Sequence, residues 1–231
     1  MSNYKTIFFD LDHTIWDFET NAKLALQDLY TPELESKANA AFDDFFDRYS
    51  FHNTQLWGQY EKGLIPVEDL KWKRMSRTLL DFKIGDEVLS KEMSKQFLEI
   101  LPTKKAIFPY CIEILDYLKN KNYGLHLITN GFIDVQTKKL QNSGLDKYFG
   151  ELITSERSNS LKPKREIFEF ALQVTNATIA ESIMIGDNQH ADIGGALNVG
   201  MDSIFTNHIN EPIKVIPTYE ITHLKEIENI L

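Results

Sequence analysis

The feature that most constrains this chain is the segment Ile7–Thr14, in which three apolar residues run into two aspartates. A short apolar run rich in aromatic and β-branched residues is typical of a fully buried strand. Ending such a strand in Asp10 and Asp12 is costly, because buried charge without a partner is destabilising. The aspartates could simply start a turn. Later segments favour a second interpretation, a nucleophile and an acid–base group at the carboxyl end of a central strand.

Beyond Pro109, short apolar strands alternate with amphipathic helices. This alternation predicts an α/β fold with a parallel sheet and right-handed crossovers. The predicted strands are Lys5–Asp10, Tyr123–Thr129, Glu151–Thr154, Ser182–Gly186, Ser203–Thr206 and, at one edge, Tyr219–Thr222. The predicted helices are Tyr110–Lys121, Phe132–Ser143, Arg165–Thr175, Ala191–Val199 and His223–Leu231.

Between about Asn21 and Lys105 the apolar residues recur at helical spacing instead. Four or five amphipathic helices without a strand predict a small helical bundle, inserted after the first strand. We expect a core domain of residues 1–16 and 107–231 and an all-helical cap domain of residues 17–106. The insertion leaves the sheet at the end where the aspartates lie, so we expect it to cover them.

Residues that could bind a ligand follow the carboxyl ends of the predicted strands, where ligands of parallel sheets bind. They are Asp10, Asp12, Thr129, Asn130, Gly131, Lys162, Asp187 and Asn188, with Asp192 in the next helix. Crowded carboxylates need a cation or a shared proton, and oxygen ligands without a His or Cys cluster favour Mg²⁺ over zinc. The Thr129 hydroxyl, the N–H groups at the start of the helix after Gly131 and the Lys162 ammonium could together bind a phosphoryl group. Asn188 and Asp192 are predicted to support the site, and Asp192 could orient the metal ligands or Lys162.

Composition narrows the environment and the partners. The net charge of −9 argues against a nucleic acid polymer, because phosphate backbones need surfaces rich in Lys and Arg. No apolar run approaches the ~20 residues that span a membrane, and the first residues do not resemble a signal peptide. The one cysteine, Cys111, fits a reducing compartment. We therefore expect a cytoplasmic protein, either a monomer or a homodimer.

The motifs, in this order, resemble those of the haloacid dehalogenase-like hydrolase superfamily over almost the whole chain. They are Asp10–Thr14, Thr129–Gly131, Lys162–Pro163, and Gly186–Asp187 followed by Asp192. The resemblance implies a Rossmann-like sheet, in which Asp10 forms an aspartyl phosphate and Asp12 acts first as acid and then as base. It also implies a Mg²⁺ site and a phosphate site. The implied Mg²⁺ ligands are Asp10, the Asp12 carbonyl and Asp187; the implied phosphate ligands are Thr129, the Asn130 N–H and Lys162.

Asp12 distinguishes a phosphatase from a dehalogenase within this family, because true haloacid dehalogenases lack an acid at its position. The resemblance therefore implies a phosphatase for a small phosphorylated metabolite. His13 replaces the usual glycine, as in a subgroup similar to house-cleaning pyrimidine 5′-nucleotidases, which implies a pyrimidine nucleoside 5′-monophosphate as substrate. The predicted substrate residues are His13, Trp16 and Phe18, with Trp57 and Trp72 as further aromatic candidates.

Other interpretations remain open. The substrate could be a sugar phosphate or phosphoglycolate, or the reaction could be 2-haloacid dehalogenation. A non-enzymatic scaffold is a third possibility, because family likeness alone does not prove turnover. Each of the aromatic candidates could equally serve to pack helices together.

Overall fold

The short apolar runs form a six-stranded sheet in the computed structural model, which describes residues 3–231. The strands are β1 (Thr6–Phe9), β2 (Gly124–Thr129), β3 (Leu152–Thr154), β4 (Ser182–Gly186), β5 (Asp202–Thr206) and β6 (Tyr219–Ile221). Their order in the sheet is β3-β2-β1-β4-β5-β6, and all neighbours are parallel. The predicted α/β fold is confirmed, and each strand lies within one residue of its predicted bounds.

The segment that follows β1, up to Ile100, is helical, as its apolar spacing predicted. Its α-helices are α1 (Phe18–Leu29), α2 (Pro32–Ala38), α3 (Phe42–Glu61), α4 (Val67–Asp81) and α5 (Glu87–Ile100). Each of the three longest helices buries one apolar stripe, with Tyr49, Leu70 and Phe97 among the residues that have almost no exposed surface. No helix within residues 3–231 combines the length and the apolar character needed to cross a membrane.

Two compact units divide the chain. One contains the sheet and comprises the described residues up to Phe18 together with Lys105–Leu231. The other is the helical unit Glu19–Lys104. The predicted core domain begins at residue 1, and its first two residues lie outside the described part of the chain.

The remaining α-helices belong to the sheet-containing unit. They are α6 (Cys111–Asn120), α7 (Ile133–Ser143), α8 (Ser155–Ser158), α9 (Arg165–Thr175) and α10 (Gly195–Val199). Two predicted helices take a different form. The predicted helix Ala191–Val199 is a π-helical turn, Gln189–Gly194, that continues into α10. The predicted last helix is a 3₁₀ segment, Leu224–Asn229, capped through His223.

The central place of β1 explains why three of its four residues, Ile7, Phe8 and Phe9, are apolar. It pairs with β2 on one side and with β4 on the other, and Ile7, Phe8 and Phe9 have no exposed surface. On one face, Phe8 belongs to the same buried cluster as Phe168 of α9. Removing either ring is expected to destabilise the fold by about 3–5 kcal/mol. The rigid strand therefore holds the residue that follows it, Asp10, at the carboxyl edge of the sheet.

Candidate active site

Asp10 and Lys162 form a buried ion pair at the end of β1. The backbone N–H of Asp10 still donates to Ile185 of β4, so the sheet fixes the position of this residue. The Lys162 ammonium lies 2.5 Å from Asp10 Oδ1, 2.6 Å from Asp192 Oδ1 and 2.6 Å from the Ile128 carbonyl oxygen. Only 2% of Lys162 is exposed, and these contacts satisfy all three of its hydrogens.

The electrostatics of this cluster favour added positive charge. Burial raises the pKa of Asp10 well above its usual range, although Lys162 opposes the shift, and Asp192 and Asp187 add to it. Burial, together with the charge of Asp192, raises the pKa of Asp187 to about 8. Burial disfavours the charged Lys162, but Asp10 and Asp192 outweigh it and raise the pKa of this ammonium. One buried cation therefore does not neutralise the three carboxylates.

The donor atoms fit a hard divalent cation. Carboxylate oxygens of Asp10, Asp187 and Asp192 lie within 4.8 Å of one another. Both oxygens of Asp192 are engaged, one by Lys162 and the other by the Asn188 N–H at 2.9 Å. No hydrogen bond from the described residues ends on the Asp12 carbonyl oxygen. The fit therefore favours Asp10, the Asp12 carbonyl and Asp187 as Mg²⁺ ligands, with Asp192 as the partner of Lys162.

Thr14, Gly186 and Asn188 hold the two aspartates that follow β4. The Thr14 hydroxyl donates to Asp187 Oδ1 at 3.1 Å, and Asn188 Oδ1 accepts the N–H groups at the start of the π-helical turn. A Cβ at Gly186 would lie 2.3 Å from Asp192 Oδ2, so only glycine allows this carboxylate to approach. The turn thus directs Asp192 back to Lys162, as predicted for one of its two possible roles.

Thr129 at the end of β2 is prepared to donate a hydrogen bond. Its Oγ1 accepts from the Gly131 N–H at 3.1 Å and from Gln136 Nε2 at 2.8 Å, which leaves its own hydrogen for an anion. Gly131 differs from its prediction as a phosphate ligand, because its N–H is already used by Thr129. Its missing side chain makes room for Gln136, whose Nε2 would lie 2.5 Å from a Cβ at this position.

Asn130 positions the loop that carries Lys162. Its Nδ2 donates to the Lys162 carbonyl oxygen at 3.0 Å, and its Oδ1 accepts the Lys162 N–H at 2.8 Å. This side chain is therefore committed to the lysine, and the predicted phosphate role concerns the backbone N–H of Asn130. Asn159, three residues before Lys162, has a left-handed backbone with φ of 52°, which Asn tolerates better than most residues do.

The start of α7 differs from the predicted open anion site. The Ile133 N–H donates to Glu156 Oε2 at 2.7 Å. A carboxylate of the chain itself thus occupies this end of the helix, where the helix dipole favours negative charge. An incoming phosphate would have to compete with Glu156 for this donor.

The side chain of Asp12 points toward two residues that the sequence interpretation missed. Lys139 Nζ lies 2.6 Å from Asp12 Oδ1, and Gln136 Nε2 lies 2.9 Å from Asp12 Oδ2. Both donors are nearly fully buried on the same face of α7. Polar residues at positions i and i+3, where an amphipathic helix should be apolar, were the signal that could have revealed them.

Two of the three predicted substrate residues lie in the protein interior. Trp16 has no exposed surface and Phe18 only 8%, so neither ring presents an open face to a substrate in this structure. The Lys139 ammonium lies 4.3 Å from the centre of the Trp16 ring, a favourable cation–π contact. His13 is partly exposed, and its ring centre lies 5.0 Å from that of Phe18. Of the three, His13 retains the most surface for a substrate contact.

The helical-unit tryptophans are partly exposed and have neighbours of their own. The Lys91 ammonium lies 5.2 Å from the centre of the Trp72 ring. Trp57 meets Tyr60 edge to face, with ring centres 5.8 Å apart. Both rings thus contribute to packing within the helical unit.

Comparison with known proteins gives a consistent result. Residues 4–200 match the family model of haloacid dehalogenase-like hydrolases. The chain is 31% identical to the pyrimidine 5′-nucleotidase PynA of Streptococcus pneumoniae, over 99% of this chain and 95% of PynA. It is 30% identical to the pyrimidine 5′-nucleotidase YjjG of Escherichia coli, over 97% and 96%. The crystal structure of the HAD-hydrolase YfnB from Bacillus subtilis, bound to magnesium, superposes with a TM-score of 0.88 at 28% identity, covering 98% of both chains.

Proposed function

Because this chain belongs to the haloacid dehalogenase-like hydrolase family, we propose that it is a Mg²⁺-dependent phosphomonoesterase with Asp10 as its nucleophile. The observation that carries the proposal is the 2.5 Å contact between Asp10 and Lys162 within a cluster of three carboxylates. A carboxylate nucleophile beside a buried ammonium can attack a phosphorus atom while the positive charge offsets that of the phosphoryl oxygens.

The proposed reaction has two displacements. An Asp10 oxygen attacks phosphorus, the bond from phosphorus to the leaving oxygen breaks, and Asp12 protonates that oxygen. Asp12 then takes a proton from water, which attacks the aspartyl phosphate and releases inorganic phosphate. The Thr129 hydroxyl binds one phosphoryl oxygen, and the Lys162 ammonium exchanges one of its three contacts for another. Asn130 holds the lysine loop.

The proposed metal ligands are Asp10, the Asp12 carbonyl and Asp187. Bound Mg²⁺ would offset the negative charge that the phosphoryl group brings to a site already rich in carboxylates. Thr14 keeps Asp187 in place through its hydrogen bond to Oδ1.

Asp12 favours phosphate ester hydrolysis over dehalogenation. An alkoxide leaving group needs a proton, whereas a halide leaves without one. A second acid two residues after the nucleophile is therefore useful to a phosphatase. Dehalogenation instead passes through a carboxylic ester, and hydrolysis of that ester by water does not need a metal ion. The proposed Mg²⁺ ligand Asp187 therefore also favours a phosphatase.

The proposed substrate is a pyrimidine nucleoside 5′-monophosphate. This step relies on the names of PynA and YjjG and on full-length similarity near 30%. It also relies on His13, which stands next to Asp12 where the family commonly has glycine. The partly exposed imidazole is the candidate for a contact that glycine could not make.

Phosphate release from p-nitrophenyl phosphate, measured with MgCl₂ and with EDTA, tests the reaction. We expect release only with Mg²⁺ and a loss of about 10³-fold or more in Asp10→Asn. Asp134→Asn, on the exposed face of α7, is the matched control and should retain full activity. Undiminished release by Asp10→Asn would eliminate this mechanism.

A substrate panel tests the specificity. It should include nucleoside monophosphates, sugar phosphates and 2-phosphoglycolate, compared by kcat/KM. We expect the highest values for pyrimidine nucleoside 5′-monophosphates. Preference for a sugar phosphate or for phosphoglycolate would leave the reaction in place and overturn the nucleotidase assignment.

A further inference from the structure

We propose that Lys139, together with Gln136, is a positioning residue that holds Asp12 in the orientation for proton transfer. This inference rests on the phosphomonoesterase function proposed above. Its basis is the double contact of the Asp12 carboxylate, with Lys139 Nζ at 2.6 Å on Oδ1 and Gln136 Nε2 at 2.9 Å on Oδ2. Contacts on both oxygens fix the plane of a carboxylate, whereas one contact leaves it free to rotate.

Burial supports a role for this pair beyond simple charge balance. The Lys139 side chain is 3% exposed, while that of Asp12 is 23% exposed. The ammonium therefore lies behind the carboxylate, and the carboxylate can still reach a ligand. Burying an ammonium is unfavourable, and the Trp16 ring 4.3 Å beneath it offsets part of that penalty.

Gln136 connects this pair to the phosphate end of the site. The same Nε2 atom lies 2.8 Å from Thr129 Oγ1 and 2.9 Å from Asp12 Oδ2. One amide thus fixes both the proposed phosphate donor and the proposed acid–base group. Gly131 makes this arrangement possible, because a Cβ there would occupy the place of the amide.

The contacts leave Asp12 able to transfer protons. An ionised carboxylate has about four acceptor positions, so each oxygen keeps one after binding its donor. Asp12 gives its proton to the leaving oxygen as the bond to phosphorus breaks. It later takes one from the attacking water, and Lys139 keeps its own proton in both steps.

Leaving-group dependence distinguishes positioning from a structural role. An alkyl phosphate such as a nucleoside 5′-monophosphate needs the proton from Asp12, whereas 2,4-dinitrophenyl phosphate releases a weakly basic phenolate without it. The value of kcat/KM reports the steps up to departure of the leaving group. We expect Lys139→Met to lower kcat/KM by about 10-fold or more on the nucleotide. We expect a loss of less than about 3-fold on the dinitrophenyl ester, and Asp12→Asn should show the same pattern.

The matched control is Lys138→Met, which removes an exposed ammonium from the neighbouring position of α7 and should leave both substrates unaffected. In the Asp12→Asn background, Lys139→Met should cause no further loss, and this double variant buries no unpaired carboxylate at position 12. If Lys139→Met alone does not fold, Lys139→Gln, which keeps a donor, replaces it. Its loss of kcat/KM should likewise be larger on the nucleotide than on the dinitrophenyl ester.

Two results would overturn the proposal: equal losses of Lys139→Met on both substrates, or a further loss in the Asp12→Asn background. Failure of the wild-type enzyme to hydrolyse either ester would refute the proposed function instead. The two failures are therefore distinguishable.

Discussion

Lys162 and Asp192 form an ion pair with 2.6 Å between Nζ and Oδ1, and their side chains are 3% and 1% exposed. The same ammonium contacts Asp10, so one buried cation holds the proposed nucleophile and a second carboxylate. Breaking such a pair by removing one partner is far more destabilising than losing a surface ion pair, because the remaining charge has no water to solvate it.

Lys162→Met should therefore lower the free energy of unfolding by about 3–5 kcal/mol. The reason is that Asp10 and Asp192 remain buried without their counter-charge. Urea denaturation followed by circular dichroism measures this loss. Lys164→Met, two residues later at an exposed position, should stay within about 0.5 kcal/mol of wild type. A loss below about 1 kcal/mol in Lys162→Met would contradict the buried ion pair.

The pKa of Asp187 predicts how Mg²⁺ and pH act together on stability. Burial raises this pKa from 3.8 to about 8, so between these values the folded state keeps a proton that the unfolded state has released. The free energy of unfolding of the metal-free protein should therefore fall as pH rises from about 4 to 8. Because the proposed Mg²⁺ ligand is the carboxylate form of Asp187, the gain in melting temperature from MgCl₂ over EDTA should be larger at pH 8 than at pH 6.

Differential scanning fluorimetry at the two pH values measures this effect. Asp187→Asn is the control, because position 187 then cannot titrate, and it should show a smaller gain that depends less on pH than in wild type. A Mg²⁺-dependent gain in wild type that is the same at both pH values, or larger at pH 6, would contradict the prediction.

Gly186→Ala should displace Asp192 from Lys162, because the new methyl group would lie 2.3 Å from Asp192 Oδ2. We expect a loss of about 1–3 kcal/mol in unfolding free energy, together with lower kcat. Gly58→Ala is the matched control. Gly58 lies in α3 with open space where a side chain would be, so Gly58→Ala should stabilise the protein by about 0.5–1 kcal/mol. Equal effects of the two substitutions would show that Gly186 is not tightly packed.

His13→Gly separates the conformation of this residue from its side chain. The backbone of His13 is left-handed, with φ of 62°, which costs a non-glycine residue about 1–2 kcal/mol. Glycine removes this strain but adds about 0.5–1 kcal/mol of unfolded-state entropy. Urea denaturation should therefore place His13→Gly within about 1 kcal/mol of wild type. Valine at this position should destabilise by about 1–3 kcal/mol.

Kinetic measurements on His13→Gly also test whether the His13 side chain contacts the substrate. If the imidazole contacts the nucleotide, the ratio of kcat/KM for uridine 5′-monophosphate to that for p-nitrophenyl phosphate should fall in His13→Gly. An unchanged ratio would remove His13 from the set of substrate residues.

Local patterns were sufficient for the sheet and for the positions of its motifs. Ile7–Phe9 is apolar because β1 is covered on both faces, and such burial is visible in a single sequence. Parallel strands bring their carboxyl ends to one edge, so Asp10, Lys162 and Asp187 could be grouped before any coordinates were known.

Side-chain direction was beyond the reach of the same patterns. Trp16 is close to Asp10 in sequence, but its indole packs beneath Lys139 inside the protein. Gln136 and Lys139 lie on a buried helix face where apolar residues are expected. Both donate to the carboxylate of Asp12, which lies more than 120 positions earlier in the chain. The π-helical turn is also a tertiary effect, because it directs Asp192 to Lys162.

The place of β1 has a consequence for the order in which the protein can assemble during synthesis. Of the six strands, β1 leaves the ribosome first, yet its neighbours β2 and β4 begin at Gly124 and Ser182. The backbone of Ile7–Phe9 therefore has no neighbouring strand to pair with until more than 110 further residues have been synthesised. We expect nascent chains stalled before Ser182 to be cleaved near β1 by added protease, and longer chains to resist. Because Asp187 and Asp192 follow β4, the proposed site can form only after that strand has been made. Turnover by the nascent chain would therefore report the arrival of β4 beside β1.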